Sequence, residues 1–362
     1  MALTTVRPQG MGFNTGRRNL IINGAMQVAQ RSTSETAQHT TGYITCDRFQ
    51  LFFANEDELR LTVTQDTDSP SGFSTSFKIQ TTTAESAVAA DENVLLMQRI
   101  EAQDLQQLGY GTSAAKKTTV SFYVKSSVAA TYGFNAYHSD GNKVFGQSYT
   151  INSANTWERK TITIDANTSD AINNDNGIGL QLSWQLVAGT NFTSGSNSSW
   201  ETNAEAKQAV GHTANAVGTT TNATWQITGV QLEVGENASD FEHRSFGEEL
   251  ELCKRYYQQI GSGYGKASST SAFDCSVTFN PPMRANPTVS DNGTVIQITN
   301  ITSADHNQSS VGCADTDTGV TDGTYGGGRV RFSNFSGLTG GTTYAIDHNG
   351  SQGGAAAFDA EL

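Results

Sequence analysis

The chain has 362 residues, a length that fits about two domains, and its formal net charge is −13 at pH 7. Charged residues make up only 16% and prolines number 5, which argues against a disordered chain, while 36 glycines and abundant Ser, Thr, Asn and Gln are typical of an all-β protein with many turns. The acidic balance argues against a nucleic-acid partner, which requires a basic face. No apolar run is long enough for membrane insertion.

A basic arm opens the chain. Residues 1–18 contain Arg7, Arg17 and Arg18 and no acidic residue. This composition predicts that the arm is either a docking peptide or a frayed, solvated terminus. The arm has no apolar run, so no signal peptide is expected.

Period-two alternation of apolar and polar residues then recurs along the chain and predicts strands. Asn19–Arg31 and Trp225–Gly235 are interpreted as the first and last strands of one β-sandwich. The clearest strands between them carry these apolar sets: Leu59, Leu61 and Val63; Val120, Phe122 and Val124; and Leu180, Leu182, Trp184 and Leu186. In the last strand the alternation of apolar residues shifts by one position at Gly229, which predicts a β-bulge there.

Two segments are predicted to be helical. Ile100–Leu108 ends at a capping glycine, Gly109, and Glu248–Gln258 places its acids at the N-terminal end. Between them, Trp200–Thr224 is predicted to be a long surface loop. After Gly261 the composition becomes glycine-rich, which predicts a second, smaller sandwich.

The predicted fold is therefore all-β, with two β-sandwich (jelly-roll-like) domains joined by a short helix after a short extended N-terminal arm. The predicted segments are residues 1–18 for the arm, 19–246 for the first sandwich, 247–258 for the helical junction and 259–362 for the C-terminal sandwich.

No motif for catalysis or a cofactor is recognisable in the sequence. Cys46, Cys253, Cys275 and Cys313 form no CxxC pair and are predicted to be buried apolar side chains. Asp47, Glu101 and Asp104 are possible carboxylates for glycoside hydrolysis, but the sequence does not show that two of them face one sugar.

Two further groups of residues are candidates for ligand binding. Asp315, Asp317 and Asp322 resemble a carboxylate loop for a hard cation, but their spacing is not that of an EF-hand, so they are weak metal candidates. The alternative for this segment is a polar turn, and no metal is expected. Aromatic residues near turns are expected either to stack on sugars or to pack in cores and subunit interfaces. They are Tyr132, Phe134, Tyr137, Trp200, Tyr264, Tyr325 and Tyr344. Trp200, Tyr264, Tyr325 and Tyr344 are the predicted ligand-binding set.

Several segments resemble tail-fibre proteins of marine tailed phages, notably cyanophages. The similar segments are Thr15–Arg31, Tyr43–Phe49, Thr156–Ile164, Trp225–Gly235, Phe241–Ser245 and Cys253–Tyr257, with a looser similarity at Phe358–Leu362. The more closely similar segments are spread over residues 15–258, about two thirds of the chain.

The resemblance implies a virion tail protein, assembled in the host cytoplasm, that is a homotrimer with a jelly roll similar to carbohydrate-binding modules. It implies docking to other virion proteins through the N-terminal arm, with Arg7, Arg17 and Arg18 as docking residues. It also implies non-enzymatic attachment to a host surface glycan, with residues 259–362 as the receptor-binding tip. A stripe of Leu250, Cys253, Tyr256 and Tyr257 is expected to pack either around a threefold axis or within one subunit.

Two other functions are compatible with parts of the sequence. A purely structural virion protein, such as a capsid-decorating fibre or tail spacer, would share the fold and the trimer. A tailspike-type depolymerase would be expected to carry a long parallel β-helix, and the sequence shows no such repeat.

Overall fold

A computed structural model of the chain describes residues 17–195, 199–261, 263–290, 297–300, 305–307, 313–317, 325–347 and 356–362. The described part is built almost entirely from antiparallel strands, which confirms the predicted all-β fold. None of its helices has the length and apolar character needed to span a bilayer.

Thirteen strands form the first sandwich. They are β1 (Ser34–Gln38), β2 (Gly42–Tyr43), β3 (Gln50–Ala54), β4 (Arg60–Asp66), β5 (Ser76–Thr83), β6 (Asn93–Glu101), β7 (Thr118–Ser126), β8 (Thr131–His138), β9 (Lys143–Thr150), β10 (Glu158–Ile164), β11 (Ile178–Ala188), β12 (Trp200–Thr202) and β13 (Thr224–Val234). Short helical turns accompany them: α1 (Ala216–Thr219) and 3₁₀ helices over Ala102–Leu108, Thr190–Phe192 and Glu205–Lys207.

These strands form two sheets that face each other. The first sheet has six strands in the order β1-β4-β5-β13-β7-β10, and the second has seven in the order β12-β9-β8-β11-β6-β3-β2. The chain crosses repeatedly between the sheets, as in a jelly roll. Inward side chains from both sheets, with Trp184 and Trp225 fully buried at the centre, form one continuous core.

The structure corrects the predicted first strand. Asn19–Arg31 contains no strand, although it lies against β13 through a hydrogen bond from the Leu20 amide to the Leu232 carbonyl oxygen (2.9 Å). The side-chain amide of Asn19 replaces the backbone hydrogen bonds that a strand would make: Oδ1 accepts from the backbone amides of Ile21 (3.0 Å) and Leu232 (3.1 Å). An amide side chain can satisfy backbone groups that a strand would otherwise pair.

Other local predictions are confirmed. β13 is a strand, and its register to β7 shifts between Thr228 and Gln231, where Gly229 has φ +62°. The predicted helix at Ile100–Leu108 is a 3₁₀ helix that begins at Ala102, because β6 extends through Glu101, and it ends at Gly109 in the left-handed conformation. Cys46, Cys253 and Cys275 are buried and free. Trp200–Thr224, by contrast, contains β12, a 3₁₀ turn and α1, so it is more ordered than the predicted surface loop.

Helix α2 (Phe246–Lys254) follows the first sandwich. It begins with a capping box, in which the Ser245 hydroxyl accepts from the Glu248 amide and the Glu248 carboxylate accepts from the Ser245 amide. The predicted helix is thus present, but it ends at Lys254, and Tyr257 and Gln258 belong to the next strand.

The remaining strands form a second, smaller sandwich. They are β14 (Tyr257–Ile260), β15 (Tyr264–Ala267), β16 (Phe273–Met283), β17 (Thr288–Ser290), β18 (Gln297–Asn300), β19 (Asp305–Asn307), β20 (Cys313–Asp317), β21 (Tyr325–Phe332), β22 (Thr343–Asp347) and β23 (Ala356–Asp359). A three-stranded sheet, β14-β23-β17, and a seven-stranded sheet, β19-β18-β22-β15-β16-β21-β20, enclose one core. β16 shows the alternation that builds it, because Phe273, Cys275, Val277 and Phe279 are buried while the residues between them face outward.

A buried cluster of charged and aromatic residues connects the two sandwiches, and we call it the interdomain joint. Its members are Arg31, Arg48, Tyr256, Tyr257, Asp359 and Glu361. At its centre Arg48, 1% exposed, forms an ion pair with Glu361, and its guanidinium carbon lies 3.4 Å from the Tyr256 ring centroid. A second arginine repeats the arrangement: Arg31 donates to Asp359 (2.9 Å) and stacks 3.8 Å from the Tyr257 ring centroid.

Cys253, Tyr256 and Tyr257, part of the stripe expected to pack around an axis or within one subunit, are buried within this single chain. Cys253 and Tyr256 pack against Ile22 and Val28, and Leu250 is partly buried against the same group. The stripe therefore packs within one subunit.

Replacing Glu361 with Gln is expected to lower the free energy of unfolding by about 3 kcal/mol, because it leaves Arg48 buried without a counter-charge. The loss is measured as a lower midpoint in urea denaturation followed by circular dichroism. Glu251→Gln is the matched control, since Glu251 forms an exposed ion pair with Lys254 and such pairs contribute about 0.5 kcal/mol or less. Equal shifts for both variants would contradict a stabilising role for the joint.

Candidate functional site

A groove of about 260 Å³ lies on the outer face of the seven-stranded sheet of the first sandwich. Strands β3, β6, β8, β9 and β11 form its floor, and residues that follow β12 contribute one side. The lining residues are Phe52, Leu95, Met97, Arg99, Asn135, Tyr137, Val144, Gln181, Ser183, Asn203 and Gln208.

The strand register arranges the floor in rows across the sheet. One row places Tyr137, Gln181 and Arg99 side by side, and the next places Asn135, Ser183 and Met97 side by side. Because neighbours in a row share a face, Asn135, Gln181 and Ser183 form an amide-rich strip on β8 and β11, beside an apolar strip on β6 and β3. Arg99 on β6 and Val144 on β9 lie outside this division. The third row continues the pattern, with Leu95 between Gln185 and Phe52.

Hydrogen bonds fix the polar side chains of the floor. Arg99 Nε donates to Gln181 Oε1 (2.9 Å), and Gln181 Nε2 donates to Ser183 Oγ (3.1 Å). The Tyr137 hydroxyl donates to Asn142 Oδ1 (3.3 Å). Side chains held in this way lose little conformational freedom when a ligand binds.

The segment after β12 forms one wall. The Gln208 carbonyl oxygen accepts from Asn135 Nδ2 (2.7 Å) and from Gln185 Nε2 (3.1 Å), so the sheet holds the wall directly. Gly133 permits this close approach, because a Cβ at that position would lie 3.0 Å from the Cα of Ala209. The Gln185 side chain is fully buried beneath the wall, and its Oε1 has no hydrogen-bond partner among the described residues.

Arg99 connects the groove to the interdomain joint. Its Nη1 donates to the main-chain oxygen of Leu362, and its own carbonyl oxygen accepts from Arg48 Nη2 (2.7 Å). The Tyr43 hydroxyl donates to the same Leu362 oxygen (3.1 Å). The edge of the groove is therefore built partly from the last residues of the chain.

His212 anchors the far end of the wall. Its Nδ1 accepts from the Gly133 amide (3.2 Å), which leaves Nε2 to donate to Asn215 Oδ1 (3.1 Å). This pair of contacts requires the neutral ring, and burial lowers the pKa of His212 to about 4.

The aromatic residues expected to be exposed are mostly enclosed. Tyr344 is 1% exposed, so the expectation that it is available at the surface is wrong, and Trp200 is half-buried with its indole nitrogen donating to the Asp165 carbonyl oxygen (2.6 Å). Both rings complete cores, Tyr344 against Phe273 and Trp200 against Phe145.

Tyr264 is 76% exposed on β15, at a distance from the groove lining, and Tyr325 is the first residue of β21. Of the turn aromatics, Tyr132 and Phe134 point into the first core, and Tyr137 alone lines the groove. The structure does not bring the predicted ligand-binding set together.

The predicted docking residues are only partly within the described chain. Arg7 lies outside the described residues, and Arg17 is exposed and borders an open cleft of about 700 Å³ beside α2. Arg18 is bound to its own chain: Nη2 donates to the Asp240 carbonyl oxygen (3.0 Å), and the backbone amide donates to Glu242 Oε2 (3.1 Å).

The structure describes most of the weak metal candidates and of the carboxylates considered for hydrolysis. Asp315 and Asp317 lie in β20, and Asp322 lies outside the described residues. Glu101 forms a bidentate ion pair with Arg255 (2.8 and 2.9 Å), and Asp47 accepts from the Gln30 backbone (2.9 Å). Glu101 and Asp47 are structural groups in this fold.

The groove was not predicted from the sequence, although one signal was present. On β11 the residues Gln181, Ser183 and Gln185 alternate with apolar residues, a pattern that by itself predicts only a strand with one polar face toward water. An unbroken polar set beside Tyr137 is a usable indication of a binding face, but the sequence does not reveal that β8 and β11 are neighbours.

Comparison with known proteins gives no family model and no curated protein that matches the chain. Solved structures with some similarity include a tailspike domain of bacteriophage CBA120 (12% identity, TM-score 0.32, 60% of this chain and 21% of that chain). A putative sugar-binding protein from Bacteroides thetaiotaomicron gives 14% identity and a TM-score of 0.33 over 60% of this chain and 100% of that chain.

A family 11 carbohydrate-binding module from Clostridium thermocellum gives 11% identity and a TM-score of 0.28 over 58% of this chain and 98% of that chain. Similarity at these values does not establish a shared activity. The aligned region of the tailspike is about a fifth of that protein.

Acid is expected to destabilise the wall through His212. The folded-state pKa of His212, about 4, lies below the ordinary 6.5, so burial of the neutral ring contributes to the stability of the folded chain above pH 6.5. That contribution is lost as the pH falls toward 4. The expected loss between neutral pH and a pH of about 4.5 is about 2.5 kcal/mol. Urea denaturation at both pH values measures it.

His212→Gln is expected to reduce the difference in the free energy of unfolding between the two pH values by about 2.5 kcal/mol. His39→Gln is the control, because His39 is exposed, and it should retain the pH dependence of the parent chain. Identical pH dependence in all three proteins would show that His212 is not held neutral.

Proposed function

We propose that this chain binds a glycan, without enzymatic activity, through the groove on the outer face of the seven-stranded sheet, and that it does so as a phage tail fibre during host attachment. The observation that carries the proposal is the division of the groove floor into an amide-rich half and an apolar half. A sugar ring presents the same two characters, hydroxyl groups at its rim and C–H groups on its faces.

The chemistry of the lining suits this ligand class. Gln181 and Asn135 carry amides that both donate and accept, as neighbouring hydroxyl groups require. Tyr137 offers an aromatic surface with a polar tip beside them, and Met97 extends the apolar strip. A groove of about 260 Å³ suits a short segment of a glycan.

The same lining favours binding over hydrolysis. Hydrolysis of a glycosidic bond ordinarily uses two carboxyl groups on opposite sides of the bond. Among the lining residues that the structure describes, none carries a carboxylate, and Arg99 is the one charged side chain.

Attachment to a host is the finer part of the proposal and is supported by the resemblance to phage tail fibres. A homotrimer docked to the virion through residues 1–18 would present several grooves at once, and avidity would then compensate for weak single-site affinity. The groove replaces residues 259–362 as the proposed main glycan site, and Tyr264 remains the exposed aromatic candidate of the second sandwich.

Replacing Tyr137 with Ala is expected to weaken glycan binding about tenfold, because the variant loses a stacking surface on the floor. Glycan arrays carrying bacterial surface polysaccharides identify a ligand for the full chain, and isothermal titration calorimetry then compares the dissociation constants of the parent chain and the variant.

Tyr264→Ala is the matched control and should leave the dissociation constant within about twofold, since Tyr264 lies on the second sandwich. The opposite result, a loss with Tyr264→Ala and none with Tyr137→Ala, would place binding on the second sandwich. If no glycan binds the folded chain, the proposal fails.

The alternative of a purely structural virion protein is tested on the virus. Purified chain is expected to compete with the encoding phage for adsorption to its host, and the Tyr137→Ala chain should compete less well. Failure of the glycan-binding parent chain to compete would favour the structural alternative.

A further inference from the structure

Three glutamates from separate segments converge at one end of the first sandwich. Glu56 lies between β3 and β4, Glu85 follows β5, and Glu92 directly precedes β6. One carboxylate oxygen from each lies within 4.8 Å of the others. Glu85 and Glu92 are only 4% and 6% exposed.

Glu56 and Glu92 each use one carboxylate oxygen to accept a hydrogen bond from a backbone amide of their own loop. Glu56 Oε1 accepts from the backbone amide of Leu59 (2.6 Å), and Glu92 Oε2 accepts from that of Ala89 (2.6 Å). The second oxygen of Glu56 and Oε2 of Glu85 are buried and have no hydrogen-bond partner among the described residues. Buried polar atoms normally have a partner, so these two oxygens indicate a ligand that the chain itself does not supply.

The cluster also lacks a counter-charge. Within the described ranges no lysine or arginine forms an ion pair with Glu56, Glu85 or Glu92. Glu85 and Glu92 are buried beside the half-buried Glu56, and adjacent buried carboxylates are stable at neutral pH only if a proton or a cation neutralises them.

We propose that Glu56, Glu85 and Glu92 bind a calcium ion. Oxygen-only ligands select hard cations, and three carboxylate oxygens within 4.8 Å of one another can share one ion at a Ca–O distance of about 2.4 Å. Mg²⁺ usually binds through one or two carboxylates and keeps several waters, so three protein carboxylates favour Ca²⁺. Glutamates from three segments leave the remaining coordination positions to water.

The site would fasten the base of the groove wall to the sandwich. The Glu85 amide donates to the Gly218 carbonyl oxygen (3.0 Å), and the Gly189 amide donates to the Glu92 carbonyl oxygen (2.8 Å). Gly189 and Gly218 flank the insertion that carries Gln208. The metal site does not depend on the proposed glycan function.

The test is calorimetric titration of CaCl₂ into the metal-free full chain, with thermal unfolding in EDTA and in excess Ca²⁺. One binding event is expected, and a Ca²⁺ concentration of about 100 times the dissociation constant should raise the unfolding midpoint by about 5 °C. Glu85→Gln should lose this response and, in EDTA, should unfold at a higher temperature than the parent chain, because one repelling charge is gone.

Asp57→Asn is the matched control, since Asp57 is an exposed acid in the same loop, and it should retain the full calcium response. Absence of both binding heat and a midpoint shift in the folded parent chain at millimolar Ca²⁺ would overturn the proposal. So would a Glu85→Gln variant with the calcium response of the parent chain.

Discussion

The buried ion pair between Arg48 and Glu361 is the interaction on which the arrangement of the two sandwiches depends. Burying two charges is unfavourable unless each finds its partner, so the pair is stable only when the end of the chain lies against the first sandwich. Tyr256 covers the guanidinium group and belongs to the segment that joins the sandwiches. One contact therefore combines groups from three distant parts of the sequence, which makes the relative position of the sandwiches specific.

This constraint extends to the groove. Arg48 also donates to the carbonyl oxygen of Arg99, and the Arg99 side chain holds both Gln181 and Leu362. Arg99 therefore links the groove floor to the interdomain joint by hydrogen bonds on both sides.

Periodicity predicted the strands well wherever one face of a strand is buried, as in β7, β11 and β13, and the shift of the apolar positions at Gly229 also predicted the bulge there. Asn19–Arg31 was misassigned because Asn19 supplies side-chain hydrogen bonds that imitate a strand partner. Exposure of aromatic rings was harder to predict, since glycine-rich surroundings suggested a surface while the fold placed Tyr344 in a core. The groove and the glutamate cluster depend on which segments become neighbours, and alternation along one strand carries no such information.

The pairing of β14 with β23 has a consequence for how this chain can change. Tyr257 lies opposite Asp359, and Ile260 lies opposite Ala356, so the second sandwich leaves the joint and returns to it through two adjacent strands. Everything between those strands is a single excursion whose ends are already held together. Arg284, which lies inside the excursion, donates to the carbonyl oxygens of Ala360 (2.8 Å) and Glu361 (3.1 Å). A different module inserted between these two strands would therefore have to supply an equivalent donor to keep Glu361 beside Arg48.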